Sequence, residues 1–299
     1  MQMSAECMAC LLNRQAGNIQ NYPDEAKKAE YLQMVMRAIS EAEKSVSAPL
    51  MTARINDIHR AVFGFGEDLS AEKHLHNQMM LRVADDAWKT IRSAEDPLSM
   101  ALRYARAGNY IDLGAMDSVD DETLLSLLNG AREETIDDVQ YRLFREALSC
   151  AEQFLLVHDN AGEIVMDMLL IRIVREMYPH LSVTSLVRGA LTSNDATMED
   201  AEEIGLSRYA RVIGNGTDIA GTELSHISRE AKEALSEADV ILAKGQGNFE
   251  TMFGCGLPVF YMFLCKCDWF MKLFQKPRFS GVFVRERDVT ICNTLVEGD

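Results

Sequence analysis

Six short apolar runs in the second half of the chain constrain its fold more than any other feature. They fall at residues 154–157, 183–187, 211–213, 240–243, 259–264 and 281–284. Helical patterns lie between them at 163–177, 198–205, 222–236 and 248–253. Strands alternating with helices predict a mostly parallel sheet with helices on both faces. The fold class expected is therefore α/β, a Rossmann-like three-layer domain.

The first hundred residues read differently. Helical periodicity is expected over 24–43, where Tyr31, Met34, Val35 and Ile39 share a face, and over 49–63, 69–91 and 97–105. A compact loop is expected at 108–114. The organisation predicted is a helical portion over 1–106 and an α/β portion over 107–299, either two units or one integrated body.

The net charge of −16 argues against nucleic acid or an anionic membrane as the main partner. No apolar run approaches the length needed to span a bilayer, and the N-terminus lacks a signal-peptide pattern, so a cytoplasmic location is expected. Seven cysteines, an odd number, favour reduced thiols or a metal site over a disulfide framework.

Four polar clusters follow the expected strands: Asp159-Asn160-Ala161-Gly162-Glu163; Arg188-Gly189 with Ser193-Asn194-Asp195-Ala196-Thr197; Gly214-Asn215-Gly216-Thr217-Asp218; and Lys244-Gly245-Gln246-Gly247-Asn248-Phe249-Glu250. In a parallel sheet these strand ends converge on one rim, where open α/β sheets bind ligands. Singly, each has a plainer reading. Asp159, Asn194 and Asp195 suit helix caps and turns, and Gly245 and Gly247 suit tight turns. Together, Asp159, Asn160 and Asp195 offer three hard oxygen ligands to a divalent cation, and Lys244 offers a point charge to a phosphoryl oxygen. Zincin, serine-hydrolase and P-loop patterns are absent from the sequence. Metal-assisted phosphoryl hydrolysis fits these groups best.

These motifs resemble the damage-control phosphatases, formerly a domain of unknown function numbered eighty-nine. The Cys7-x-x-Cys10 pair and the stretch Gly108-Asn109-Tyr110-Ile111-Asp112 resemble the prokaryotic subfamily in particular. The resemblance implies a metal-dependent phosphatase of small phosphorylated metabolites, such as sugar phosphates or damaged cofactor precursors. It places one divalent ion (Mn, Co, Ni or Mg) on Asp159, Asn160 and Asp195, and the phosphoryl group near Lys244. Two nucleophiles stay open, Asp159 itself or a water activated by the metal. Asn109, Asp112, Glu163, Arg188, Asn194, Asp218 and Asn248 are candidates for holding substrate. A non-catalytic metal- or metabolite-binding regulator is the alternative. Cys7 and Cys10, with Cys265 and Cys267, could hold a structural zinc or remain inert thiols.

Overall fold

The computed structural model of the protein describes residues 1–64, 66, 68–110, 128, 130 and 134–291. Six strands form one sheet: β1 (Gln153–Val157), β2 (Ser182–Val187), β3 (Arg211–Gly214), β4 (Val240–Lys244), β5 (Val259–Leu264) and β6 (Gly281–Arg285). Their order is β3-β2-β1-β4-β5-β6, with β1 to β5 parallel and β6 antiparallel at the edge. Each expected apolar run is a strand, and the architecture is the mostly parallel α/β class.

Among the described residues the α-helices are α1 (Ala5–Asn18), α2 (Glu25–Ser40), α3 (Ala48–Phe63), α4 (Ser70–Arg92), α5 (Pro97–Ala107), α6 (Asp138–Cys150), α7 (Glu163–Met177), α8 (Met198–Glu203), α9 (Arg229–Glu237), α10 (Gln246–Met252) and α11 (Asp268–Phe274). Side-chain caps start several of them. Ser47 accepts from Leu50 N at α3, Asp96 from Ser99 N at α5, and Asp137 from Val139 N and Gln140 N at α6. A left-handed Gly64, at φ +81°, ends α3.

The strand period of two assigns the layers. Phe154 and Leu156 of β1 face a core shared with α4, α5, α6 and α7, whereas Leu155 and Val157 face one shared with α9, α10 and α11. Both faces are buried, which is why the strands read as unbroken apolar runs. Helices α4 and α5 thus pack in the same core as the sheet. Helices α1, α2 and α3 close a third cluster, which Ile219 joins from the loop after β3.

Three helices lie outside the sequence expectations: α1, α6 and α11. Helix α6 buries only Phe144 and Leu148, a stripe too narrow to announce itself. Helix α9 begins at Arg229, later than the expected 222. Thr222 is instead fastened to α10, its amide donating to Thr251 Oγ1 (2.9 Å) and its hydroxyl to Asn248 Oδ1 (2.8 Å). Ser228 then caps the helix by accepting from Ala231 N.

Phe249 anchors α10 to the sheet. Its ring is fully buried, with centroids 5.0 Å from Phe253, 4.9 Å from Tyr261, 5.3 Å from Phe263 and 5.7 Å from Phe270. Phe249→Ala should lower the unfolding free energy by about 3–5 kcal/mol, read from denaturant titration, because so enclosed a ring leaves a cavity that cannot collapse.

Candidate active site

The chain leaves β1 toward β2 on one side and β4 toward β5 on the other, so β1 and β4 flank a topological switch point. In open α/β sheets a crevice forms there, outside the carboxyl ends of the strands. Residues 158–162 follow β1, and residues 188–197 follow β2 and fold back across them. Ala161 N donates to Asn194 O (2.8 Å), Ala196 N to Asp159 O (2.7 Å) and Arg188 N to Ala196 O (2.8 Å). Backbone pairing thus sets Asn160 opposite Asp195, which lie 35 residues apart in the chain. Gly162 makes the sharp exit at φ +76°, its amide donating to Asn77 Oδ1 of α4 (2.7 Å).

The result is a cleft of about 270 Å³ in which Asp159, Asn160, Asn194, Asp195 and Asn109 share one wall. Arg14, Asn18, Thr52 and Asn56, from α1 and α3, line it from the helical portion. Gln246 and Lys266, after β4 and β5, also line it. Ser193 takes a left-handed φ of 47°, a strained conformation at the cleft wall.

The acidic side chains crowd. Burial, then repulsion from Glu163 and Asp195, hold the Asp159 carboxyl well above the usual carboxylate range, with partial relief from Lys266 and Arg188. Asp159 Oδ2 accepts from Nδ2 of both Asn109 (2.9 Å) and Asn160 (2.8 Å). With its Nδ2 turned to the carboxylate, the Asn160 amide has its oxygen at the opposite end. Two carboxylates and an amide oxygen are a donor set suited to a hard divalent cation, and a cation among them would offset the repulsion that raises Asp159.

Behind this wall Lys244 is fully buried. Its Nζ donates to Glu163 Oε1 (2.5 Å), Asp167 Oδ1 (2.7 Å) and Ala105 O (2.9 Å). An ammonium has three donors, and all three are engaged inside the protein. Burial alone would lower the Lys244 pKa, but Asp167 and Glu163 together raise it above the ordinary lysine value. Burial likewise works to raise Asp167, yet the Lys244 charge and a bond from His158 hold it below the usual carboxylate range.

The other expected residues divide by place. Glu163 is buried between Lys244 and the amides of Asn109 and Asn160. Arg188 sits behind Asp195, its Nε donating to Asp195 Oδ2 (2.6 Å). Asn248 bonds the His158 and Lys244 carbonyls (2.9 and 2.6 Å), bracing the strand ends. Asp218 pairs with Arg60 (3.3 Å) and does not line the cleft. Asp112 lies outside the described residues.

The cysteines do not assemble the structural zinc site considered above. Cys265 is buried in the sheet core and Cys10 is exposed. Among the described residues no group of three or more His, Cys, Asp or Glu is set to hold a metal ion. The Asp159–Asn160–Asp195 set has two acids, its third donor being an amide. Sequence reasoning missed Asp167, His158, Arg14 and Lys266. Asp167 is four residues from Glu163 in a strongly apolar helix, a helical neighbour that could have flagged it.

Gly245 is required by contact. At φ +83°, a Cβ on it would fall 2.1 Å from Asp159 Cγ, whereas Gly254, at φ +86°, has nothing within 4 Å. Gly245→Ala should therefore lose more unfolding free energy than Gly254→Ala, which suffers backbone strain of about 1–3 kcal/mol alone. Equal losses in urea titrations would refute the contact argument.

Glu250 also lines the cleft. Burial pushes its carboxyl from 4.5 up to about 7, against the attraction of the Met1 ammonium. The folded protein then keeps a proton that the unfolded chain has lost, so stability from this group is present below 4.5 and lost as pH rises through about 7. Glu250→Gln should flatten that fall, seen by comparing unfolding at about pH 5 and about pH 8.

Comparison with known proteins agrees with this architecture. The chain is 29% identical over 292 residues to a damage-control phosphatase of Pyrococcus horikoshii, covering 96% of this chain and 99% of the relative. It is 27% identical over 279 residues to a damage-control phosphatase of Archaeoglobus fulgidus, covering 90% and 93%. A crystal structure of a DUF89-family protein from P. horikoshii superposes with a TM-score of 0.83 at 27% identity, covering 96% of this chain and 99% of that one. The profile of the damage-control phosphatase ARMT1-like domain matches residues 3–281, and the chain belongs to that family.

Proposed function

We propose that the protein is a divalent-metal-dependent phosphatase acting on small phosphorylated metabolites, with sugar phosphates or damaged cofactor precursors as the substrate classes. The observation that carries this reading is the convergence of Asp159, Asn160 and Asp195 on one cleft at the switch point. Family membership and the names of the archaeal relatives support it.

In this reading Asp159, Asn160 and Asp195 hold the cation, which would act as a Lewis acid toward a phosphoryl oxygen. The chain's own groups do the rest. Arg14 and Lys266 bring positive charge to the cleft of a protein whose net charge is −16, giving an anionic substrate a local field to enter. Asn18, Thr52 and Asn56 are neutral groups that both donate and accept, suited to the hydroxyls or amides of a polar metabolite. The cleft volume of about 270 Å³ favours a compact ligand over a polymer.

Chelator-stripped protein should hydrolyse p-nitrophenyl phosphate only when Mn²⁺, Co²⁺, Ni²⁺ or Mg²⁺ is restored. Asp159→Ala should lose at least about 100-fold in kcat/KM, since it removes a ligand outright. Metal binding without turnover on a panel of phosphorylated metabolites would favour a regulator instead, and full activity in Asp159→Ala would sink the assignment.

A further inference from the structure

A continuous buried chain of polar groups runs from beneath the cleft to its wall. His158 Nδ1 meets Asp167 Oδ2 (2.9 Å), and Asp167 Oδ1 accepts from Lys244 Nζ (2.7 Å). Lys244 donates to Glu163 Oε1 (2.5 Å), and Glu163 Oε2 accepts from Asn109 Nδ2 (2.6 Å) and Asn160 Nδ2 (3.2 Å). Both amides also donate to Asp159 Oδ2. His158, Glu163, Asp167 and Lys244 are each at most 1% exposed, so water cannot replace the links among these four.

We propose that His158, Asp167 and Lys244 are positioning residues, which dictate through Glu163 which end of the Asn109 and Asn160 carboxamides faces the cleft. A carboxamide is nearly symmetric in shape but not in chemistry: one end accepts, the other donates. A cation needs the oxygen end, and two carboxylates take the NH₂ ends, Glu163 behind the amides and Asp159 beside them. Glu163 is the one held from behind, its other oxygen accepting from Lys244 Nζ (2.5 Å). Asp167 holds Lys244 from the other side, and His158 takes the remaining oxygen of Asp167. An ionised carboxylate only accepts, so the Nδ1 of His158 carries the proton, and the ring is fixed in that orientation. Lys244 therefore acts on the site from behind rather than as a contact to substrate. This inference rests on reading the cleft as a metal site.

The test measures Mn²⁺ binding to chelator-stripped protein by titration calorimetry, with turnover of p-nitrophenyl phosphate measured separately. Asp167→Asn should weaken Mn²⁺ binding about 10- to 100-fold, as loss of groups that orient ligands does elsewhere. His158→Leu, which removes one bond and no network carboxylate, should weaken it in the same direction and serves where Asp167→Asn does not fold. His158→Asn keeps a donor near the Nδ1 position and should stay within about threefold of the native Kd. At saturating Mn²⁺ the KM of Asp167→Asn should remain within about twofold of native, because no substrate contact is lost.

Unchanged Mn²⁺ affinity in both Asp167→Asn and His158→Leu would overturn the positioning role. So would a loss in His158→Asn equal to that in His158→Leu. Native protein that binds Mn²⁺ but turns over nothing defeats the phosphatase reading alone, while the affinities still decide this one. Native protein that binds no divalent ion defeats both.

Discussion

A lysine ammonium held out of water at the end of β4 is the interaction on which the rest of the structure depends. A buried charge is tolerated only when paired and fully hydrogen-bonded, and Lys244 meets that condition with one carboxylate from each of two successive turns of α7 and a carbonyl from α5. Removing either carboxylate would leave one donor of the buried ammonium without its acceptor. The triad therefore fastens β4, α7 and α5 together at the one place in the sheet where neighbouring connections diverge. A crevice that topology alone would leave loose becomes a rigid wall.

On that wall the chain accepts electrostatic cost. Asp159, Asp195 and Glu163 crowd together, and Asp159 pays in a raised pKa. Folding could have relieved this by spreading the acids apart, yet Gly245 lacks the side chain that would push Asp159 away, and the 188–197 segment pairs with it by backbone bonds. Positive charge comes instead from other parts of the chain: Arg188 behind Asp195, Lys266 after β5, and Arg14 on α1. The helical portion thus supplies cleft residues as well as packing, with α3 resting against α10 and Asn18, Thr52 and Asn56 facing the same space.

Much of this is legible in the chain. The strands are legible because a sheet buried on both faces needs unbroken apolar runs, and Asp159, Asn160 and Asp195 are legible because they fall in polar clusters that follow those runs. Lys244 was legible as important but not in its role. A lysine closing an apolar strand looks the same whether it faces a ligand or the core. Asp167 was hidden among the apolar residues of α7, and Arg14 and Lys266 looked like ordinary surface cations. Helix α9 began later than its pattern implied because Thr222 found partners on α10, and local periodicity contains no record of such a long-range bond.

By itself the sequence determined the layer architecture, the strands and the cluster of oxygen donors at their ends, because these follow from side-chain periodicity and from residue types adjacent in the chain. Only the tertiary structure decided which donors share a wall, which way the Asn109 and Asn160 amides turn, and that Lys244 faces inward. Those outcomes depend on distance and burial. A carboxylate 77 residues from its lysine in the chain becomes its partner only when α7 packs across β4.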